Sequence, residues 1–452
     1  MPTAPPELAA RLRQYGQSHL MAGWDGLTAA GRDTLAGQLA GLDFAHLDAL
    51  FQRRADPHPL PGPDRLAPIP VEDAATLSAS AVARGDAALK AGEIAALVVA
   101  GGQGTRLGSD RPKGLYPVGP VSGASLFQWH AEKVLALSRR AGRPVPFLVM
   151  TSPATHAETV AFFAANAAFG LAPGQVRFFQ QGTMPAADLA TGKLLLEAPG
   201  TLFTSPNGHG GTLTALADSG LLAALKAAGV RHVFYFQVDN PLVKIADPAF
   251  VGRHVETGSE VSTKVVFKTD PGEKVGVLAL VDGRCGIVEY SDLPAELAAE
   301  RDAAGHLRYP AGNTAIHVFS VPFLERVTGG ATRLAYHVAR KKVPHFDPET
   351  EQQVTPDREN AVKYELFVFD ALPLADRWLV VRADRADEFA PLKNATGADS
   401  PATVRQALVD QAARWLAAAG VAVPAGVPVE VSPLATPDAA RGLTITGPTR
   451  VG

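Results

Sequence analysis

The chain has 452 residues, is 46% hydrophobic and 19% charged, and carries a formal net charge of −3. That length predicts two or three domains, and the near-neutral balance without a long basic run excludes an electrostatic footprint for nucleic acid. The single cysteine, Cys285, excludes an intrachain disulfide and a Cys-based zinc site; no apolar stretch reaches bilayer length, and Met1 to Gly16 lacks a signal-peptide core, so a cytoplasmic protein without a membrane partner is expected.

Leu8, Leu12, Leu35, Leu39 and Leu42 stand at helical spacing and predict a helical N-terminal region. Asp56 to Pro70 is proline-rich and reads as an extended linker, followed by a helix over 73–92. From 94 onward strands and helices alternate. Strands are predicted at 146–151, 175–181 and 232–238, with helices at 154–168 and 211–229. This rhythm implies βαβ units, a mostly parallel sheet and helices on both faces, a Rossmann-like α/β fold. Strands at 261–267, 275–281, 286–290 and 315–319 predict a mixed extension of the sheet, and 404–419 a helix leading into a Pro/Gly-rich tail. The expected domains are 1–92 (helical, with the linker), 93–400 (central α/β) and 401–452 (small, C-terminal).

One stretch carries most of the chemistry. Leu97-Val98-Val99-Ala100 is a buried-strand pattern that breaks into Gly101, Gly102 and Gly104, and then Arg106 and Lys113 follow. Glycines let backbone approach a ligand closely, and exposed N–H groups with nearby cations suit a polyphosphate. The dinucleotide pattern G-x-G-x-x-G fails for want of a third glycine, which argues against an NAD-dependent oxidoreductase. The P-loop fails because Lys113 lies between Pro112 and Gly114. The plainer alternative is a glycine-rich turn with two solvated cations.

Other candidates sit at expected strand ends, where open α/β sheets bind ligands. Phe234-Tyr235-Phe236-Gln237-Val238 ends in Asp239, a candidate magnesium ligand or else a turn aspartate ahead of Asn240-Pro241. Gln181 ends another strand; its amide offers a donor and an acceptor side by side, as the edge of uracil requires. Asn207-Gly208-His209-Gly210-Gly211 precedes a helix, whose N-terminal N–H groups suit an anion. Neither G-x-S-x-G nor H-E-x-x-H occurs, so nothing points to a hydrolytic triad or a zincin.

Gly101-Gly102-Gln103-Gly104-Thr105-Arg106-Leu107-Gly108 followed by Pro112-Lys113-Gly114 resembles the nucleotide-binding loop of the eukaryotic-type UDP-sugar pyrophosphorylases, above all their N-acetylglucosamine branch. The similarity runs from about Pro68 to about Arg405, through Val288-Glu289-Tyr290-Ser291-Asp292, Ala311-Gly312-Asn313-Thr314-Ala315, Asn360-Ala361-Val362-Lys363-Tyr364-Glu365 and Pro391-Leu392-Lys393-Asn394. The resemblance implies a nucleotidyltransferase that makes a UDP-sugar and pyrophosphate from UTP and a hexose 1-phosphate, with Mg2+ as cofactor. It implies that Arg106, Lys113 and Lys393 act on the phosphates. Nucleotide contacts are implied for Val99, Ala100, Gly101, Gly102, Lys113, Gln181, Gly208, Asp239 and Lys363, sugar contacts for His209, Gly276, Glu289, Tyr290, Asn313 and Lys393, and the metal for Asp239. Gln180 stands where the family usually has Glu. His209, with little packing expected between its glycines, stands where the N-acetylglucosamine branch has Asn and resembles the glucose branch. N-acetylglucosamine 1-phosphate is the expected sugar, glucose or galactose 1-phosphate the alternative, and a non-catalytic UDP-sugar sensor the reading of another class.

Overall fold

A computed structural model describes residues 5–55, 62–330 and 334–452. The chain divides into two compact units, each discontinuous in sequence. The smaller comprises Met1–Pro59, Gly182–Gly211 and Leu334–Val368; the larger comprises Leu60–Gln181, Thr212–Arg333 and Phe369–Gly452.

The larger unit is built on an eleven-stranded sheet. Its strands are β1 (Leu66–Pro68), β2 (Glu72–Asp73), β3 (Ile94–Val99), β4 (Phe147–Thr151), β5 (Val176–Gln180), β6 (His232–Gln237), β7 (Val261–Phe267), β8 (Val277–Val281), β9 (Arg284–Val288), β10 (Ala311–Ser320) and β11 (Trp378–Arg382). The main order is β2-β11-β7-β10-β6-β3-β4-β5, with β8 joining β10 to β9 and β1. Strands β3, β4, β5 and β6 pair in parallel. β10 runs antiparallel to both β6 and β7. The expected mostly parallel mixed sheet is therefore present. Central β3 has no polar residue because helices cover both faces of such a sheet; Ile94 to Val98 are all buried. Each such Ile, Leu or Val contributes on the order of 1.5–3 kcal/mol. The pairing of Val99 with Met150 of β4 and Gln237 of β6 sets the height at which the glycine loop leaves the sheet.

Several boundaries differ from expectation. Residues 66–68 form β1 on β8 rather than linker, and residues 56–61 of that expected linker lie outside the described residues. The helix expected over 73–92 spans Ala79–Ala91, started by the Ser78 hydroxyl accepting from Ala81 N–H and stopped at Gly92 in the left-handed region. The single helix expected over 211–229 is two, Gly211–Asp218 and Leu221–Ala227, because Gly220 at φ 73° breaks it.

Each unit draws on separated stretches of the chain. Helices Pro6–Gln14, Ala29–Ala40 and Phe44–Gln52 bury Leu12, Leu39 and Leu47 against Leu194, Leu196, Val362 and Tyr364 of the smaller unit, whereas residues 66–181 join the larger. Their apolar faces find cover on strands distant in sequence, which spacing along the chain does not reveal. Helix Pro401–Ala418 joins two cores. Val404 and Leu408 at its start enter the main core, while Ala412 and Leu416 pack in a separate small core with Val429 and Val451. Among the described residues no helix is long and apolar enough to cross a membrane.

Candidate active site

β3 keeps its ladder one residue past its end, Ala100 N–H donating to Met150 at 2.8 Å. The chain then leaves the sheet as a closed excursion. Gln103 bridges Pro112, Gly104 N–H donates to the Arg111 carbonyl at 2.9 Å, and Lys113 N–H returns to Gly102 at 3.0 Å. Arg106 stands on the short turn Thr105–Leu107, exposed and without an ion pair among the described residues. Lys113 comes back to the foot of the loop. Gly114 fixes it there: a Cβ at that position would lie 2.2 Å from the Phe127 ring, so only glycine lets the backbone rest on helix Leu126–Ala141.

At that foot Lys113 Nζ meets the Asp239 carboxylate at 3.5 Å. Asp239 is buried and lies two residues past β6, beside the loop because β6 and β3 are parallel neighbours in register. This part-buried pair joins two residues singled out separately in the sequence. The Asp239 carbonyl accepts from Leu392 N–H at 2.8 Å, and the Asn240 side chain donates to the Glu388 carbonyl at 2.7 Å and accepts from Ala390 N–H at 3.1 Å. Segment 388–392 is thereby tied to the end of β6, and Lys393 follows it, its Nζ 3.8 Å from Asp399. Glu388 is itself held: both its oxygens lie 2.7 Å from the ammonium of fully buried Lys264, which also meets Asp247 at 2.8 Å. Burial works against that ammonium, but Glu388 and Asp247 outweigh it and raise its pKa. Asn240, Lys264 and Glu388 were not singled out in the sequence; a lysine in the middle of the strand expected at 261–267 was the available signal, since a buried charge must be paired.

Gln181 follows β5, its N–H donating to Thr151 at 2.8 Å. It is buried, and a Cβ at Gly101 would lie 3.1 Å from its Nε2. Gln181 and the glycine turn therefore share one corner of the sheet edge, β4 alone standing between β3 and β5.

A second group gathers around β8, β9 and β10. Gly276 and Glu289 face each other just beyond the paired ends Val277 and Val288, with a Cβ at Gly276 only 3.0 Å from Glu289 Oε1. Asn313 N–H donates to the Gly276 carbonyl at 2.8 Å. The β7–β10 pairing skips Thr314 and Ala315, Ala315 taking φ 54°, and the Asn313 side chain accepts from Ala315 N–H at 2.9 Å. A bulge with a non-glycine residue in the left-handed region re-aims a side chain and is common beside functional sites. Tyr290 is 48% exposed, a large aromatic ring left open to solvent beside this group. The structure thus brings Gly276, Glu289 and Asn313 together, with Tyr290 next in chain.

Gly208, His209 and Lys363 belong to the smaller unit. Gly208 lies at φ 84°, where a Cβ would strike the Leu366 carbonyl at 2.4 Å. His209 does not lack packing as expected. Its ring stacks on Phe367 with centroids 5.3 Å apart, and its Nδ1 accepts from Val368 N–H at 3.2 Å, which leaves the proton of a neutral ring on Nε2. Lys363 lies over the Phe203 ring at 5.3 Å, and burial lowers its pKa.

Among the described residues no three His, Cys, Asp or Glu side chains cluster for a metal. Magnesium is commonly held by one or two carboxylates together with waters and substrate phosphates. Asp239 fits that use: a hard anionic donor at a strand end, engaged by one long contact to Lys113 rather than by a close bidentate partner.

The family described as UTP–glucose-1-phosphate uridylyltransferase matches residues 64–418. UDP-N-acetylglucosamine diphosphorylase 2 of Arabidopsis thaliana is 36% identical over 96% of this chain and 90% of its own. UDP-N-acetylglucosamine pyrophosphorylase of Saccharomyces cerevisiae is 41% identical over 76% of this chain and 74% of its own. The crystal structure of uridine diphosphate N-acetylglucosamine pyrophosphorylase from Trypanosoma brucei in complex with an inhibitor superimposes with a TM-score of 0.81 at 30% identity, covering 97% of this chain and 94% of that one.

Proposed function

The chain belongs to the UTP–glucose-1-phosphate uridylyltransferase family, and from that premise we propose that it joins UTP to a hexose 1-phosphate, N-acetylglucosamine 1-phosphate before others, and releases pyrophosphate. The observation that carries this reading is the meeting of Lys113 and Asp239 at 3.5 Å beside a glycine turn, at the carboxyl ends of neighbouring parallel strands. A sugar-phosphate oxygen forms a bond to the α-phosphorus of UTP while the bond from that phosphorus to the bridging oxygen of pyrophosphate breaks. The attacking phosphate is already anionic, so no general base is needed; alignment and charge compensation supply the rate. Lys113, with Arg106 above it on the loop, stabilises the triphosphate. Lys393, held through the Asn240 clamp, orients the attacking phosphate. Asp239 holds magnesium, which when bound offsets negative charge on the phosphates. A sensor of UDP-sugars would not need Lys113, Asp239 and Lys393 together, since it has no leaving group to stabilise.

Gln181 reads the base in this account. Its amide N–H2 donates to a uracil carbonyl oxygen and its C=O accepts from N3–H, a partner that cytosine lacks. UTP is expected to be used over CTP and ATP, and Gln181→Ala to narrow the margin over CTP, since an unpaired buried polar group costs about 1–3 kcal/mol. Equal kcat/KM for CTP in the parent protein would move base recognition elsewhere.

The sugar assignment rests on Gly276, Glu289 and Asn313 and on the names of the relatives. The stacking of His209 on Phe367 gives that histidine a packing role and weakens the glucose reading drawn from it. A pocket with room for an acetamido group excludes a 2-hydroxyl only weakly, roughly 10–200-fold. Measurable use of glucose or galactose 1-phosphate is therefore expected, with N-acetylglucosamine 1-phosphate best, and His209→Asn should shift the ratio further toward the acetamido sugar. The test is kcat/KM for the three sugar phosphates on parent and variant. A parent far better with glucose 1-phosphate would make His209 the informative residue.

A further inference from the structure

A cavity of about 520 Å3 in the larger unit contains none of the residues assigned to the substrates. Helix Leu126–Ala141 lines it with Trp129 and Lys133, the segment after β6 with Lys244, and helix Pro401–Ala418 with Arg414 and Trp415. The single lining carboxylate, Asp387, is shared by Arg414 at 2.9 Å and Lys244 at 3.5 Å. Lys244 and Arg414 against one carboxylate leave an excess of one positive charge, to which Lys133 adds when protonated.

Lys133 is the unusual member. It donates to the carbonyls of Pro241 and Val243 but makes no ion pair among the described residues. Burial pulls its pKa down to about 7. The nearby Glu388 is engaged by Lys264 through both oxygens. This part-buried ammonium is held by two carbonyls and lacks a counter-ion, which an anion in the cavity would supply. Trp129 Nε1–H, also buried, has no hydrogen-bond partner among the described residues. The volume falls in the small-molecule range of roughly 300–1,000 Å3, and apolar walls with a few polar groups are the composition of such sites. The part-exposed indole of Trp415 favours a flat aromatic body.

We propose that this cavity binds a small aromatic anion, an aryl carboxylate, phosphate or sulfonate, and that its occupant alters turnover. The coupling is physical. Lys133 holds the carbonyls two and four residues beyond Asp239, and Asp387 adjoins Glu388, whose carbonyl is tied to Asn240 in the segment that leads to Lys393. An occupant that draws Lys133 or Asp387 toward itself moves the supports of both Asp239 and Lys393.

The probe is 8-anilinonaphthalene-1-sulfonate added to the full chain in saturating UTP and magnesium. The expected result is a saturable fluorescence rise with quenching of tryptophan emission, reversed by phenyl phosphate but not by phenol. In Lys244→Ala/Arg414→Ala, substitutions of half-exposed side chains, binding should weaken by roughly ten-fold or more. Binding that is unchanged in the double variant, or that appears only when UTP is left out, overturns the proposal. The second readout rests on the proposed uridylyl transfer: bound dye should change pyrophosphate release in the parent at saturating substrates, and not in the double variant at the same dye concentration. Unchanged release with dye fully bound overturns the coupling. The binding readout needs no activity, so its failure is distinguishable from failure of the proposed reaction.

Discussion

Asp239→Asn is expected to abolish magnesium-dependent turnover and leave the protein folded. Asparagine preserves the shape of the side chain and the backbone carbonyl that accepts from Leu392 N–H. What it removes is the negative charge. The loss to stability is the ion pair with Lys113, which at 3.5 Å and with the lysine side chain 21% exposed contributes about 1 kcal/mol or less. The loss to activity is much larger, because a neutral amide is a poor ligand for a hard dication and nothing else among the described residues clusters to replace it. A folded variant with parental activity and parental magnesium dependence would remove Asp239 from the metal and return it to the role of a turn residue.

Lys113→Ala is expected to lower turnover on the order of 10²–10³-fold, the usual effect of deleting one preorganised donor aimed at charge that develops in the transition state. Preorganisation is visible around it: its N–H is bonded to Gly102, the next residue rests on the Phe127 ring, and its ammonium is parked against Asp239. Substrate phosphates would find the cation in place rather than recruit it from solvent. Arg106, exposed on the loop turn and with no ion pair among the described residues, has a side chain that must be ordered on binding, so Arg106→Ala should cost less than Lys113→Ala. Turnover of Lys113→Ala within a few-fold of the parent would show that Lys113 does not touch the reacting phosphates.

Much of this was legible because buried parallel strands are continuous apolar runs. Strands β3, β4 and β6 stood out for that reason, and the glycine loop and Asp239 could be assigned to the ends of β3 and β6. The antiparallel course of β10 could not be read, because strand direction is set by pairing partners distant in sequence. The smaller unit was also obscure. Its strands, such as Thr183–Pro185 and Gln352–Val354, are short and carry polar residues, so no period emerges. Lys363 was found only through resemblance; its place over Phe203 depends on chain segments 160 residues apart. The Asn240–Glu388–Lys264 support was missed for a similar reason. Each member looks ordinary locally, and their function as a clamp arises only when segment 388–392 returns to the end of β6. His209 shows the converse error: glycine neighbours suggested an unpacked ring, but Phe367 covers it from far along the chain.

The central claim is uridylyl transfer with release of pyrophosphate. Its most direct test is a phosphorus NMR time course of the full chain with UTP, magnesium and N-acetylglucosamine 1-phosphate. UTP and sugar phosphate are expected to disappear together while UDP-N-acetylglucosamine and pyrophosphate appear in equal amounts; added pyrophosphate should drive the reaction back, and omitting magnesium should stop it. Orthophosphate or UMP as the product, or UTP left intact with each of the three hexose 1-phosphates, would contradict it.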